Sequence, residues 1–239
     1  MQKNKGLSGA VLKAIALLAM FIDHFAVVIV QGVLLPRASS ANIEAMRTAY
    51  TIMRGIGRIA FPIYCVLLAE GLRYTHDRFR YLMQLLLLSV LSEIPYDLAF
   101  SRTWIAPKEQ NIFWTLMLSL LVIWLFDIAY EKVSFLWYLA SVVLFFLACV
   151  AANILGFDYG MFGIMAVAAA YITGKSRGAR AFAVPAVLFG QGVSIAASIP
   201  ILLLYNGTRG KQNKWFFYLF YPGHLVFLIC LRQFVFFFR

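Results

Sequence analysis

Charged residues and turn-forming clusters divide this chain into apolar stretches of close to twenty residues, and that spacing constrains the fold more than any other feature. About 20 mostly apolar residues cross the roughly 30 Å hydrocarbon layer of a bilayer as a helix. Eight stretches qualify: Leu12–Val30, Ile56–Leu72, Tyr81–Phe100, Ile112–Ala129, Ser134–Leu155, Tyr159–Thr173, Ala181–Tyr205 and Phe216–Phe238. The sixth is short and follows a weakly polar hinge at Asn153–Asp158, which predicts a tightly coupled helical hairpin. Only 13% of residues are charged, about half the share of a soluble domain. Too few charges are present to cover a water-soluble globule. The expected fold is therefore all-α, a polytopic membrane helix bundle of about eight spans, and residues 1–239 form one domain.

Residues 1–10 read as a short basic leader. The first apolar stretch ends in Asp23-His24 rather than in a small-residue cleavage site, so it is expected to stay as a spanning helix. Residues 31–55 form the one long connector, with a surface helix expected around Asn42–Met53. Gly190 and Gly192 suggest close helix packing, and Asn206-Gly207 reads as a turn. The formal net charge of +11 does not point to nucleic acid, because basic residues of membrane proteins gather in short loops and set orientation. With alternating spans, the N-terminal side carries Lys3, Lys5, Arg73, Arg78, Arg80, Lys132, Lys175, Arg177, Arg180 and Arg239. The other side carries Arg37, Arg47, Arg102, Lys108, Arg209, Lys211 and Lys214. The balance narrowly favours a cytoplasmic N-terminus. Cys65, Cys149 and Cys230 lie inside apolar stretches without metal-ligand spacing, and no metal site is expected.

Ionisable side chains at membrane depth cost at least about 2.5–3.5 kcal/mol on insertion scales, so each needs a partner or a role. In the eight-span reading, Asp23, His24, Arg58, Ser92, Glu93, Asp97, Asn111, Asp158, Lys214 and His224 all fall toward one membrane face, and the opposite half holds few buried charges. Glu93 and Asp97 are four apart and share a helix face. Pro95 between them frees the carbonyl of Leu91. Asp23 and His24 are adjacent and point about 100° apart. His24 is therefore expected to face a cavity, and Asp23 a neighbouring helix or a lysine. An imidazole suits proton abstraction, because its unperturbed pKa of about 6.5 lies near working pH.

The stretches LSGAVLKAIALLAMFIDHFAVVI, GRIAFPIYCVLLAEGLRYT, LLLLSVLSEIPYDLAF, QNIFWTLMLSLL, FDYGMFGI and KWFFYLFYPGHL, spread over residues 7–225, make the chain resemble the TraX family of bacterial membrane proteins. That family's founding member is linked to N-terminal acetylation of conjugative pilin. It is also similar to a wider group of transmembrane acyltransferases, including the lysosomal heparan-α-glucosaminide acetyltransferase. The resemblance implies a bacterial inner-membrane protein that transfers acetyl from acetyl-CoA, with a membrane-embedded histidine as base. By motif match that role falls on His24. Arg58, Glu93, Asp97, Asn111, Asp158, Lys214 and His224 match other motif positions, and the match assigns them no individual roles.

The expected chemistry is transfer from acetyl-CoA to an amine (a protein N-terminus or amino sugar) or a hydroxyl, directly or through an acetyl-histidine. His24, Asp23, Glu93 and Asp97 are the candidate catalytic residues; Arg58, Lys214, Asn111, His224 and Asp158 are the candidate donor-binding residues. The expected partners are acetyl-CoA, a protein or carbohydrate acceptor and the lipid bilayer, with no nucleic acid. The competing readings are a small proton-coupled transporter and a non-catalytic assembly factor for surface appendages.

Overall fold

The computed structural model describes residues 6–237, apart from the side chains of Lys214 and Trp215. The first five residues of the basic leader, Phe238 and Arg239 lie outside the described residues. Helix α1 (Gly9–Phe25) starts at Ser8, whose hydroxyl accepts from the Val11 amide. It continues through wider π-type turns (Ala26–Leu34) into a 3-10 turn at Leu35–Arg37. Helices α2 (Ile43–Gly57) and α3 (Ala60–Tyr74) make one apolar run of 32 residues. Helix α2 takes in the stretch where a surface helix was expected; of its residues only Gly57 is buried, and Asp23 of α1 gives Arg54, near its end, a partly buried partner. Then follow α4 (Arg78–Phe100), α5 (Ile112–Lys132), α6 (Phe135–Ile154) and α7 (Gly160–Ile172). The chain ends with α8 (Arg177–Leu188), α9 (Ser198–Leu203) and α10 (Lys214–Phe237). Among the described residues there is no strand. Six runs among the described residues are long and apolar enough to cross a membrane, so the chain is a helical membrane bundle.

The seventh expected span is not one helix. After α8 the chain makes two short 3-10 segments, Phe189–Gln191 and Val193–Ala197, before α9. Gly192, with φ 142°, makes the break between them; it serves a turn, not close helix packing. The two arms then return to one place. Arg180 at the start of α8 and Tyr205 just after α9 both bond the carboxylate of Glu70, Arg180 at 2.5 Å. This segment is a re-entrant hairpin, entering and leaving at the face where α1 begins. Hydropathy cannot separate such a hairpin from a single span, because both have the same apolar length.

The hairpin reverses the direction of the last helix. The segment after α9 pairs with the start of α1: the Leu7 amide donates to Leu204 O at 2.8 Å, and the Gly9 amide to Thr208 O at 2.7 Å. Lys13 lies over Phe217 and Arg37 over Phe236, so α10 runs parallel to α1. Arg209, Lys211 and Lys214 consequently belong to the N-terminal face, not the far face expected for them. The excess of basic residues on that face grows, which strengthens the positive-inside bias.

The core is apolar and finely packed. Leu12, Ala16, Ile63, Leu72, Leu120, Ile123, Val167, Leu188, Leu225 and Leu228 are buried in one cluster. Small residues on α7 (Gly163, Ala166, Ala170) bury against it and allow close backbone approach. Helix α6 presents most of its apolar side chains outward, among them Phe146, Leu147 and Val150, as a lipid-facing helix does.

The N-terminal half holds more buried charge than expected. Besides the Glu70–Arg180 pair, Arg78 meets Asp127 at 2.6 Å, and Tyr171 donates to the same carboxylate at 2.6 Å. Each of these groups has a protein partner, which marks the cluster as structural.

Candidate functional site

The polar groups of the far half come from α1, α2, α4, α5, the α6–α7 connection and α10. Parallel α1 and α10 bring His24 and His224 together: His24 Nδ1 and His224 Nε2 are 2.7 Å apart. Their ring centroids are 5.0 Å apart and the planes differ by 15°. With the nitrogens so close, the rings lie edge to edge in nearly one plane. His224 Nδ1 is 2.8 Å from the Phe220 carbonyl. Around the pair stand Phe100, edge-on to His24 at 5.0 Å, and Tyr221 at 6.0 Å. An apolar groove of about 450 Å³, lined by Phe21, Phe216, Leu219, Phe220, Gly223, His224 and Phe227, opens beside His224.

Asp23 points away from His24, as adjacent helical residues must. Its Oδ2 takes a hydrogen bond from Arg54 Nη1 at 2.5 Å. Glycine is required at position 57, because a Cβ there would overlap the Asp23 carboxylate. Arg58, at the turn between α2 and α3, has no carboxylate within salt-bridge range among the described residues; its guanidinium lies 5.9 Å over the Tyr159 ring. Tyr159 stacks on Phe61 at 3.9 Å. It takes a left-handed backbone, φ 62°, a conformation uncommon outside glycine. Asp158 Oδ1 accepts from the Tyr159 amide at 3.0 Å. Burial pushes the Asp158 carboxyl up to about 6, against the pull of nearby Arg58.

Glu93 accepts from Trp114 Nε1 at 2.9 Å and from the Asn111 side chain. Asp97 Oδ2 accepts from the Ala106 amide at 2.8 Å. The two acids are thus held by neutral donors rather than by cations. Asn111 is fully buried and committed to the protein. Its amide also donates to Ser89 O at 2.8 Å, and its Oδ1 caps α5 through the Phe113 amide at 3.0 Å. The side chain of Lys214 lies outside the described residues. Its helix start lies on the N-terminal face, ten residues before His224 in α10, so it does not belong to this group.

Four buried side-chain atoms lack a hydrogen-bond partner among the described residues: Asp23 Oδ1, Ser92 Oγ, Glu93 Oε1 and Asp97 Oδ1. All belong to this half of the bundle. A buried polar atom without a partner costs about 1–3 kcal/mol, so their concentration here marks a site rather than a packed core. Sequence reasoning passed over Arg54, Trp114, Tyr159 and Tyr221. Arg54 was hidden by its place in the long connector, and the aromatics by the general abundance of Phe, Tyr and Trp. The Asp158–Tyr159–Gly160 turn was the available signal for Tyr159.

The profile of the family described as TraX protein matches residues 8–232. A relative from Dichelobacter nodosus, named probable fimbrial assembly protein FimC, serogroup H1, is 26% identical over 264 aligned residues, covering 98% of this chain and 100% of the relative. No solved structure matches the chain.

Proposed function

Because the chain belongs to the TraX family, we propose that it is a membrane-embedded acetyltransferase, moving acetyl from acetyl-CoA to an amine or hydroxyl acceptor. It works in the bacterial inner membrane with the N-terminal face in the cytoplasm. The observation that supports this most is the His24–His224 contact of 2.7 Å in an apolar, aromatic setting. When His24 Nε2 takes a proton, the His24 Nδ1–H bond to His224 Nε2 lets the second ring share the positive charge.

In this reading His24 takes the proton of the acceptor N–H or O–H as the acceptor attacks the thioester carbonyl. When the C–S bond breaks, the proton passes to the departing thiolate, so the balance is acetylated acceptor plus free thiol. Arg58, which has no salt bridge among the described residues, supplies donors for the developing oxyanion; fixed cations in a dry site stabilise such charge strongly. Arg54 holds Asp23 and balances the field around the site. The donor's phosphates require cations. Arg80, Arg209 and Lys211 supply them on the face from which acetyl-CoA would arrive. His24 lies fifteen residues into α1, roughly 22 Å from its start at 1.5 Å per residue, a depth suited to a long, flexible donor arm.

The test uses purified protein in nanodiscs with radiolabelled acetyl-CoA. Donor turnover or self-labelling is expected in the native protein and lost in His24→Gln. A His24→Gln protein that folds and turns over normally removes the assignment. The name of the Dichelobacter relative favours a second reading, a non-catalytic factor for pilus assembly; in that case the native protein leaves acetyl-CoA intact.

A further inference from the structure

A backbone carbonyl only accepts hydrogen bonds. His224 Nδ1, 2.8 Å from Phe220 O, must therefore carry a hydrogen. In a neutral ring the other nitrogen is then a bare lone pair. His224 Nε2 is that lone pair, and it faces His24 Nδ1 at 2.7 Å. His24 Nδ1 must in turn carry its hydrogen and donate it. The remaining nitrogen of the pair, His24 Nε2, is left without a proton.

We propose that His224 is a positioning residue: its ring fixes the tautomer and plane of His24, so that His24 Nε2 is the one basic lone pair the pair offers. This rests on the acetyltransferase reading only for its kinetic consequence. The chain of hydrogen bonds ends on a main-chain carbonyl of α10 that accepts from His224 Nδ1, so it does not depend on a third side chain. It replaces the donor-binding role suggested for His224 by sequence, because both its ring nitrogens are engaged by the protein and neither is left for a phosphate. The nearly coplanar rings, 15° apart, align the donor N–H with the acceptor lone pair, the arrangement hydrogen bonds prefer. An orienting partner that selects a histidine tautomer is a recurrent requirement where the ring must act as a base.

Nitrogen-15 NMR of histidine-labelled protein in nanodiscs tests the assignment directly. The chain has 3 histidines, and a His76→Gln background leaves the pair alone. Both rings are expected to show a protonated Nδ1 and an unprotonated Nε2 at neutral pH. In His224→Asn the acceptor facing His24 is gone, and His24 should move toward the Nε2–H form that isolated histidines prefer. In His224→Gln the amide oxygen can stand where Nε2 stood, and His24 should keep its native tautomer. A native His24 that already carries its proton on Nε2, or that is unchanged in His224→Asn, overturns the proposal. In labelled-acetyl assays, His224→Asn should lower kcat by about 100-fold, the scale of a positioned general base. KM for acetyl-CoA should stay unchanged, and His224→Gln should restore most of the rate. A raised KM without rescue by glutamine would instead make His224 a donor-binding residue and overturn the positioning role. Native protein with the expected tautomers but no turnover supports the tautomer lock and removes the acetyltransferase reading.

Discussion

Asp158 shows what a single side chain does to this protein as pH changes. Its folded pKa of about 6 lies above the ordinary 3.8, so the folded state holds a proton that the unfolded chain releases. Stability from this group is full below about 4, falls as pH rises to about 6, and is flat above that. Asp158→Asn should flatten this window, seen as a smaller decline in Tm between pH 4 and 6 in detergent. An unchanged pH profile would mean that the carboxyl is not desolvated. Gly57 is a second decisive position. In Gly57→Ala the new methyl group falls on the Asp23 carboxylate. Overpacking of this kind costs about 1–3 kcal/mol, so Tm should drop and the Asp23–Arg54 pair should open. His24, Glu93 and Asp97 could be singled out from sequence because ionisable residues in apolar helices are conspicuous. Their partners could not: Trp114 and Asn111 reach Glu93 across 21 and 18 residues of chain, and no local pattern encodes that.

At the scale of elements, the α8–α9 hairpin depends on Glu70. Its carboxylate receives Arg180 from one arm and the Tyr205 hydroxyl from the other, with side chains only 7% (Arg180) and 13% (Glu70) exposed. Glu70→Gln would leave Arg180 buried without a counter-charge, and breaking a buried pair in this way costs about 3–5 kcal/mol. Hydrogen exchange should rise across residues 177–204 more than across α5. A uniform rise would show that Glu70 supports the whole bundle rather than this hairpin. The apolar length of 181–205 was legible in sequence; its reversal was not. Gly192 and the Glu70 anchor decide it, and only the second tells which face the arms share.

Across the whole molecule, the hairpin sets which side each later segment meets. In a protein whose native cysteines are replaced, Arg209→Cys and Ser176→Cys should react with an impermeant thiol reagent from one side. Ser40→Cys should react from the other. Eight simple crossings would instead place Arg209 with Ser40, and that result would overturn the parallel packing of α10 on α1. The sequence by itself determined that the chain is a helical membrane bundle, because helix length and the cost of burying charge are local properties summed along the chain. It also marked the depth of its ionisable residues within each apolar stretch. Tertiary structure alone decided the direction of α10 and the facing of two imidazoles two hundred residues apart. Both follow from how helices pack and where a buried carboxylate finds its partners, and such contacts between distant segments leave no periodic trace in the sequence.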